Sequence, residues 1–322
     1  MLRRPKLSRD PTSPDLNRLS GIRSKIRKAV IPAAGLGTRL LPATKAVPKE
    51  MLPIAGRPLI QFAVEEAISA GLDTVVLVVS EAKSLVAQHF SRDLALEKTL
   101  RTSGKEQEAE LVRSLAQFAD VHTVCQEVPL GLADAIRKAR PIVGSDPFAV
   151  LLPDAIIDSA VPVIKQLLSC HQQHPGCIIG TQRVLHSEVS RCGILDVVPL
   201  DDGNADGRSF RVTSLAERPE PDSTTSDYAI LGRYILEPAI FDYIDSLQPG
   251  FGGELQLTDA LQLYSQKMPV YAYHFEGKHY DVGSKLGLVQ ATLAYSLKDS
   301  ELACPLIEYL ATLESFQPQT EN

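Results

Sequence analysis

The chain has 322 residues, of which 44% are hydrophobic and 22% are charged, a composition typical of a soluble globular protein. No apolar run approaches the roughly 20 residues that span a bilayer, so we expect no membrane partner. Residues 1–28 hold nine of the 33 Lys and Arg residues but two of the 39 Asp and Glu residues. The remainder is therefore acidic, which argues against nucleic acid as the main partner.

Residues 1–27 are predicted to be a disordered basic tail, because they are rich in Pro, Ser and Arg and have no apolar period. The opening MLRRPKLSRD lacks the apolar core of a secretory signal. The five cysteines show no disulfide framework. We therefore expect a cytoplasmic protein in which the tail is solvated rather than bound to nucleic acid.

Strands and helices alternate in the first half of the sequence. The strand KAVIPAAG is followed by the helix LIQFAVEEAISAGL, the strand TVVLVVS, one helix over SLVAQHFSRDLALEKTL, another over KEQEAELVRSLAQFA, the strand VHTVC, the helix LADAIRKARPIV and the strand PFAVLLPD. This alternation continues to about Asp158. It predicts an α/β fold with a doubly wound, mostly parallel mixed sheet.

The second half has a different character. Strand-like segments come first, namely GCIIGTQRV, CGILDVVPL, SFRVTSLAE and SDYAILGRYIL, and turn-rich stretches separate them. Helices are predicted near PAIFDYIDSL and LQLTDALQLYSQK, and then over SKLGLVQATLAYSL and CPLIEYLATLES. We interpret the chain as one α/β unit whose second half is a β-rich, substrate-facing insertion.

The segment PAAGLGTRLLPATKAVPKEMLPI, which overlaps the end of the first predicted strand, has the composition of a phosphate-binding loop. Gly35 and Gly37 allow backbone N–H groups to approach an anion closely, while Arg39 and Lys49 add positive charge. A dinucleotide site would need a third glycine and an acid on the next strand, and a Walker loop would need Gly-Lys-Ser/Thr. For Gly-x-Gly alone a solvated surface turn is the better interpretation, but the whole stretch favours a bound triphosphate.

This segment resembles the signature of the sugar-nucleotide pyrophosphorylases, and most of all that of the bacterial UTP–glucose-1-phosphate uridylyltransferases. Other matching segments occur in the family's order and together cover roughly residues 28–300. They are PLIQFAVEEAISAGL, QEVPLGLADAI, VLLPD, AERPE, AILGRYIL, GGELQLTDAL and HYDVGSKLGLVQA. So many collinear matches are more specific than any single motif.

The resemblance implies a Rossmann-like nucleotidyltransferase fold, Mg²⁺ as cofactor, and transfer of a uridylyl group from UTP to α-D-glucose 1-phosphate. It also implies a homodimer or homotetramer. Residues 28–322 would form one domain, with a nucleotide-binding half over 28–158, a sugar-phosphate half over 159–300 and a C-terminal helix and tail over 301–322. A sugar phosphate needs no general base, because its second pKa is about 6. The site must instead align it and neutralise charge.

Roles follow from the matching positions. The catalytic cations would be Arg39 and Lys49. The nucleotide-binding residues would be Ala33, Ala34, Gly35, Gly37, Thr38, Gln126, Gly131 and Asp154. The sugar-phosphate-binding residues would be Gly193, Glu217, Arg218 and Glu254. The Mg²⁺ ligands would be Asp154, which ends a predicted strand at the edge where α/β sheets bind ligands, and Asp281. Without the resemblance, each acid would be interpreted as a loop carboxylate or a helix cap.

Several positions depart from the family pattern. Residues 131–135 are Gly-Leu-Ala-Asp-Ala instead of Gly-Leu-Gly-His-Ala, which is closer to the thymidylyltransferases. Arg218 replaces a lysine, Cys192 replaces a tyrosine, and Asp227 replaces an asparagine and would add negative charge near the sugar phosphate. Because uracil and thymine differ by one methyl group, worth about 1–3 kcal/mol in a pocket, a dTTP-specific enzyme is one alternative. A second alternative is an enzyme specific for a different hexose 1-phosphate. A third is a catalytically silent regulatory paralogue.

The stretch CHQQHPGC places Cys170, His171, His174 and Cys177 within eight residues. Such a set could suggest zinc, but its spacing matches no standard ligand pattern. Residues 170 and 171 would also point in different directions from a helix. We therefore do not expect a zinc site here.

Overall fold

The computed structural model describes residues 26–200 and 207–313. The strands in this part of the chain are β1 Lys28–Pro32, β2 Pro53–Ile54, β3 Arg57–Pro58, β4 Thr74–Val79, β5 Asp120–Cys125, β6 Phe148–Leu151, β7 Ala155–Asp158, β8 Cys177–Arg183, β9 Gly193–Pro199, β10 Ser209–Glu217, β11 Tyr228–Leu236, β12 Val270–His274 and β13 Lys278–Asp281. The predicted tail over residues 1–25 and the end of the predicted C-terminal tail lie outside the described residues.

Helices connect most of these strands. They are α1 Leu59–Ser69, α2 Ser84–His89, α3 Leu94–Thr102, α4 Glu106–Leu115, α5 Leu132–Lys138, α6 Arg140–Val143, α7 Val163–Gln173, α8 Ile240–Asp245, α9 Leu257–Ser265, α10 Lys285–Ser296 and α11 Ala303–Thr312. The segment after β1 contains three short 3₁₀ turns, at Thr38–Leu40, Ala43–Lys45 and Lys49–Met51.

Nine strands form one mixed sheet in the order β5-β4-β1-β6-β11-β8-β12-β10-β9. The pairings among β5, β4, β1 and β6 are parallel, as the alternating sequence predicts. Antiparallel pairing joins β6 to β11, β11 to β8, β12 to β10 and β10 to β9, and only β8 and β12 are parallel in this half of the sheet. The prediction of a mostly parallel sheet is therefore wrong for the second half. Among the described residues, no α-helix lies between β8 and β11, so these strands lack the helical crossovers that parallel pairing requires.

Helices cover both faces of the sheet, as the doubly wound prediction requires. The central strands β1 and β4 are buried on both sides, which explains their continuous apolar sequences. Ala29 and Ile31 pack in one core cluster with residues of α1 and α7. Val30, between them, points to the opposite face and packs with residues of α5, α8 and α9.

Two predicted helices are divided in the structure. SLVAQHFSRDLALEKTL forms α2 and α3 rather than one helix, because Asp93 starts a new helix: its carboxylate accepts a hydrogen bond of 2.9 Å from the backbone N–H of Leu96. LADAIRKARPIV likewise forms α5 and α6. The break lies beside Pro141, which has no N–H to continue the helical hydrogen bonds.

The two described residues that precede β1 both contact the rest of the protein. Ile26 is buried in the core and Arg27 pairs with Asp73 on the surface, so the last two residues of the expected tail belong to the globular domain. Among the described residues, no helix is both long enough and apolar enough to cross a membrane.

Several sequence segments meet at the carboxyl edge of the parallel strands. The glycine segment follows β1, Lys83 follows β4, Gln126 follows β5 and Asp154 follows β6. A separate antiparallel pair completes this edge, because β13 places Asp281 opposite Ala155 on β7, directly after Asp154. The topology thus gathers residues that are far apart in sequence at one place.

Candidate active site

A cleft of about 1040 Å³ lies at this edge of the sheet. The predicted site residues that line it are Ala34, Gly35, Arg39, Lys49, Gln126, Gly131, Asp154, Gly193, Glu217, Arg218, Glu254 and Asp281. Three others do not line it. Ala33 is buried beneath the glycine segment, where its N–H donates to the carbonyl of Val78, while Gly37 and Thr38 lie in the turn that follows.

One end of the cleft holds a network of four charged side chains. Lys49 Nζ lies 2.7 Å from Asp154 Oδ2. Arg39 contacts both carboxylates, with Nη1 2.9 Å from Asp281 Oδ2 and Nη2 3.9 Å from Asp154 Oδ2. We call these four residues the phosphate end of the cleft, after the role that the sequence predicts for them. Two cations and two carboxylates at this spacing balance each other's charge.

The network also sets the protonation of its most buried members. Burial opposes the charged form of Lys49, but the charges of Asp154 and Glu50 outweigh it, and the pKa of Lys49 is raised. Burial likewise opposes ionisation of Asp154, but Lys49 and Arg39 outweigh it and lower the pKa of that carboxyl. Both groups therefore remain charged across the neutral pH range.

The two glycines of the loop serve different purposes. Gly37 has φ of 67°, and a Cβ there would lie 3.2 Å from both Lys49 Cβ and Thr44 Cγ2. Glycine is therefore needed for the turn that brings the chain back against Lys49. A Cβ on Gly35 would meet no protein atom within 4 Å, so the bare backbone of Gly35 leaves space open at the cleft.

Lys83 is a structural residue of this site that sequence reasoning missed. Its buried Nζ donates to the carbonyl oxygens of Ala33 and Gly35 and to Glu50 Oε2, the last at 2.7 Å. It thereby ties the glycine loop to the turn that carries Lys49. Burial lowers the pKa of Lys83, and the neighbouring Glu50 opposes that shift. The available signal was its place after β4, at the same edge as the other site residues.

A second buried cation holds the backbone around Asp154. Arg233 donates to the carbonyl oxygens of Leu152 at 3.0 Å and Ala155 at 2.8 Å, on either side of Asp154. Its Nη2 also lies 2.8 Å from Glu66 Oε2. A smaller cavity of about 190 Å³ adjoins this pair.

Gln126 and Gly131 meet at another part of the cleft. Gln126 is buried, and its Nε2 donates to Asp134 Oδ2 at 2.8 Å and to the carbonyl of Gly131 at 3.2 Å. Gly131 has φ of 110°, and a Cβ there would lie 2.6 Å from the carbonyl oxygen of Leu255. Glycine is thus required where the start of α5 approaches the chain next to Glu254.

A further part of the cleft is built from β9, β10 and α9, and we call it the sugar end, after the role predicted for its residues. Thr258 Oγ1 donates to Glu217 Oε2 at 2.7 Å, while Arg218 Nε lies 3.4 Å from Glu217 Oε1. A Cβ on Gly193 would lie 3.2 Å from Glu217 Oε2, so glycine gives this carboxylate room. Glu254 is exposed, with a 3.3 Å contact to Gln256.

The structure shows the surroundings of two residues that depart from the family pattern, Asp227 and Cys192. Asp227 does not add an uncompensated charge to the cleft, because Arg183 binds both of its carboxylate oxygens, at 3.0 and 2.9 Å, and it is not a lining residue. Cys192 lines the cleft, and burial raises the pKa of its thiol to about 11. It is therefore a neutral thiol near pH 7, in place of the family's tyrosine.

The Cys and His stretch is divided by the sheet. Cys170 and Cys177 are both buried but belong to core clusters on opposite faces. His171 Nε2 lies 2.8 Å from Glu237 Oε1. Within residues 26–200 and 207–313, no three or more His, Cys, Asp and Glu side chains form a group that could hold a metal ion.

Asp154 and Asp281 are the carboxylates best placed to share a hard cation, since Arg39 contacts both. Oxygen donors suit Mg²⁺, which is commonly held by one or two carboxylates together with substrate phosphates and water. The donor set therefore fits Mg²⁺ as an ion bound together with a phosphorylated ligand rather than in a cage made by the protein alone.

A parallel-edge cleft with a glycine loop, paired cations and paired carboxylates defines a nucleotide-phosphate site. A family model described as nucleotidyl transferase matches residues 28–297, so this chain belongs to that family of enzymes.

Proteins named for a particular nucleotidyltransferase reaction match this chain over 90% of its length. The UTP–glucose-1-phosphate uridylyltransferase of Bacillus subtilis (strain 168) is 44% identical over 289 residues, which are 90% of this chain and 97% of that protein. The enzyme of the same name from Staphylococcus haemolyticus (strain JCSC1435) is 45% identical, over 90% of this chain and 99% of that protein. The resemblance indicated by the sequence motifs is confirmed.

Solved structures agree with this assignment. A UDP-glucose pyrophosphorylase complexed with UDP-glucose matches with a TM-score of 0.75 and 35% identity, over 85% of this chain and 100% of that chain. A UTP-bound UGPase from Acinetobacter baumannii matches with a TM-score of 0.80 and 33% identity, over 90% of this chain and 100% of that chain. The mixed α/β fold is therefore that of the nucleotidyltransferases.

Proposed function

We propose that this chain transfers a uridylyl group from UTP to α-D-glucose 1-phosphate, giving UDP-glucose and pyrophosphate, with Mg²⁺ as cofactor. The supporting observation is that one cleft joins the charged phosphate end to the hydrogen-bonding sugar end. The similar enzymes named for this reaction support the choice of substrates.

The reaction needs little proton transfer. A phosphate oxygen of glucose 1-phosphate attacks the α-phosphorus of UTP, and the bond from that phosphorus to the bridging oxygen of the β-phosphate breaks. Pyrophosphate leaves with the electron pair. Because the attacking phosphate is already ionised near neutral pH, catalysis depends on alignment and on stabilising the charge that moves to pyrophosphate.

Lys49 and Arg39 supply that stabilisation in our proposal. Lys49 is held at 2.7 Å from Asp154 and is positioned in advance, while Arg39 provides a planar fork for phosphate oxygens. Asp154 and Asp281 hold Mg²⁺, which neutralises phosphate charge when bound. With substrate bound, Lys49 and Arg39 would contact phosphate oxygens, and the carboxylates of Asp154 and Asp281 would be available as ligands for Mg²⁺.

The nucleotide is bound by the Rossmann-like half of the domain, residues 28–158. Backbone N–H groups of the loop over residues 33–38 approach the phosphates, with Gly35 leaving the needed space. Gln126 and Gly131 bind the base. Asp154 would contribute to nucleotide binding as a ligand of Mg²⁺.

The β-rich half, residues 159–300, binds the sugar phosphate. The carboxylates of Glu217 and Glu254 accept hydrogen bonds from sugar hydroxyls, which a carboxylate does strongly. Gly193 leaves room beside Glu217, and Arg218 binds the phosphate. Arg218 keeps the positive charge of the lysine in the family pattern but presents it with fork geometry.

Self-association belongs to the same proposal, as a homodimer or homotetramer. Ile307 and Tyr309 on α11 are exposed, and so is Leu313 just beyond its end. Exposed apolar side chains such as these can be buried against a second subunit. Sedimentation equilibrium of the full-length chain tests the oligomeric state.

The experiment that tests the reaction measures pyrophosphate release with Mg²⁺ and glucose 1-phosphate, comparing UTP, dTTP, ATP, CTP and GTP. We expect a preference for UTP and UDP-glucose as the product. A preference for dTTP would identify a thymidylyltransferase instead. If none of the five nucleotides gives pyrophosphate release, a panel of other sugar phosphates is tested next. No release with any of those would indicate a silent paralogue.

A further inference from the structure

The hydrogen bonds of Gln126 restrict what this side chain can offer to a base. Its amide nitrogen has two hydrogens, and the structure gives both a partner, Asp134 Oδ2 at 2.8 Å and the carbonyl of Gly131 at 3.2 Å. The amide oxygen Oε1 is the part of the side chain left for a ligand in the cleft that Gln126 lines.

The partners themselves fix which end of the amide faces them. A carboxylate and a backbone carbonyl accept hydrogen bonds but cannot donate them, so the amide must turn its NH₂ group toward Asp134 and Gly131. Asp134 is 0% exposed, and its other oxygen, Oδ1, is bound by Arg137. The carboxylate is therefore held in place, and a flipped amide would set Oε1 against two acceptors.

We infer that Asp134 is a positioning residue that makes Gln126 a hydrogen-bond acceptor and so selects UTP over CTP. The inference rests on the proposed function, in which Gln126 binds the base. Uracil carries a hydrogen on N3, which an acceptor can bind, whereas N3 of cytosine is itself an acceptor and would face Oε1 unpaired. Thymine shares the N3 hydrogen, so this device does not separate dTTP from UTP.

This orientation depends on a position at which the chain departs from the uridylyltransferase pattern. Asp134 stands where the uridylyltransferase pattern has histidine, in the stretch Gly-Leu-Ala-Asp-Ala over residues 131–135. A histidine ring nitrogen can donate or accept, depending on its tautomer, whereas an aspartate carboxylate can only accept. The substitution that appeared to weaken the family match thus gives the base-binding glutamine a fixed orientation.

The test replaces Asp134 by asparagine. Because Arg137 donates to one oxygen position, the asparagine carbonyl is expected to stay there and its NH₂ to face Gln126. Turning the Gln126 amide then gives Oε1 a donor at residue 134 and turns NH₂ toward the base, although it gives up the longer hydrogen bond to the carbonyl of Gly131. We expect the ratio of kcat/KM for UTP over CTP to fall by about tenfold, with tighter CTP binding, since one hydrogen bond is lost to UTP and one gained by CTP.

Asp245→Asn is the matched control. Asp245 also lies near Arg137, at 3.7 Å, but makes no contact with Gln126 in the structure. It should leave the UTP to CTP ratio unchanged. Binding of UTP and CTP without sugar phosphate, measured by calorimetry, accompanies the kinetics, so that base selection is observed apart from turnover.

The outcomes separate the inference from the proposed function. Equal weakening of UTP and CTP in Asp134→Asn, or no change in either, overturns the inference while leaving the reaction in place. A wild-type protein that binds neither nucleotide, or turns over neither, contradicts the proposed function itself. If Asp134→Asn does not fold, Asp134→Ser removes the carboxylate with a smaller side chain, and the ratio must then fall in the same direction but by less, because the carbonyl of Gly131 still accepts from Gln126.

Discussion

The two ends of the cleft use charge in different ways. At the phosphate end, the charged atoms of Lys49 and Asp154 lie 2.7 Å apart with side chains 16% and 22% exposed, whereas Arg39 and Asp281 are 59% and 46% exposed. At the sugar end, Glu217 is 16% exposed, but a neutral threonine makes its shortest contact and Arg218, 3.4 Å away, is 50% exposed. The largely buried carboxylate of the phosphate end is thus paired with a largely buried cation, and that of the sugar end is not. Charges held in advance in a partly dry site interact more strongly than solvated ones.

This difference predicts which substitutions should reduce activity most. Removing a cation from the phosphate end removes charge stabilisation that water replaces poorly. Removing a group from the sugar end removes a hydrogen bond, which typically contributes about 0.5–1.5 kcal/mol. We therefore expect substitutions at the phosphate end to reduce activity more than substitutions at the sugar end. The reverse order would contradict the contrast between the two ends.

Lys49→Ala should have the largest effect on turnover. We expect kcat to fall by about 10²–10³, the range seen when one preorganised donor to a transition state is removed. Steady-state pyrophosphate release measures it. Lys45→Ala, an exposed lysine four residues earlier, is the matched control and should retain activity. Full turnover by a folded Lys49→Ala protein would remove Lys49 from the reaction.

Asp154→Ala should abolish the dependence of the remaining activity on Mg²⁺, with kcat lower by about 10² because the variant also leaves Lys49 without its partner. A Mg²⁺ titration of both proteins measures this. Asp158→Ala, at the far end of the strand that follows Asp154, should titrate like the wild type. An unchanged titration in Asp154→Ala would place the metal elsewhere.

The contrast between the two ends also explains what the sequence could predict. Most of the phosphate end was predictable, because Arg39 and Lys49 lie in one continuous segment and Asp154 follows a recognisable strand. Lys83 was not, since its partners include the backbone carbonyls of Ala33 and Gly35, which only the folded loop brings together.

At the sugar end, prediction depended more on the family resemblance. Thr258 contacts Glu217 because α9 packs against β10, a contact between segments 41 residues apart that no local pattern indicates. The antiparallel half of the sheet was missed for the same reason. Local sequence predicted its strands but could not show that β11 would pair with both β6 and β8.

His279 also lines the cleft, and burial keeps its imidazole uncharged there. Burial lowers its pKa to about 4, compared with about 6.5 in an unfolded chain. As the pH falls, the histidine therefore takes up a proton in the unfolded state before it does so in the folded state. The contribution of His279 to the free energy of unfolding is complete above pH 6.5 and is lost as the pH falls toward 4. Between pH 7 and 5 we expect the wild type to lose about 2 kcal/mol more unfolding free energy than His279→Gln. Urea unfolding measures it, and equal losses would contradict the shift.

Glu217→Gln should have the smallest of these effects and the most selective one. Glutamine keeps the size of the side chain and an oxygen for Thr258, but it loses the charge that strengthens hydrogen bonds from sugar hydroxyls. We expect KM for glucose 1-phosphate to rise by about tenfold while KM for UTP stays unchanged. Glu220→Gln, an exposed acid three residues later, is the control. A rise in KM for UTP instead would mean that the two ends do not divide the substrates between them, because Glu217 would then act on the nucleotide.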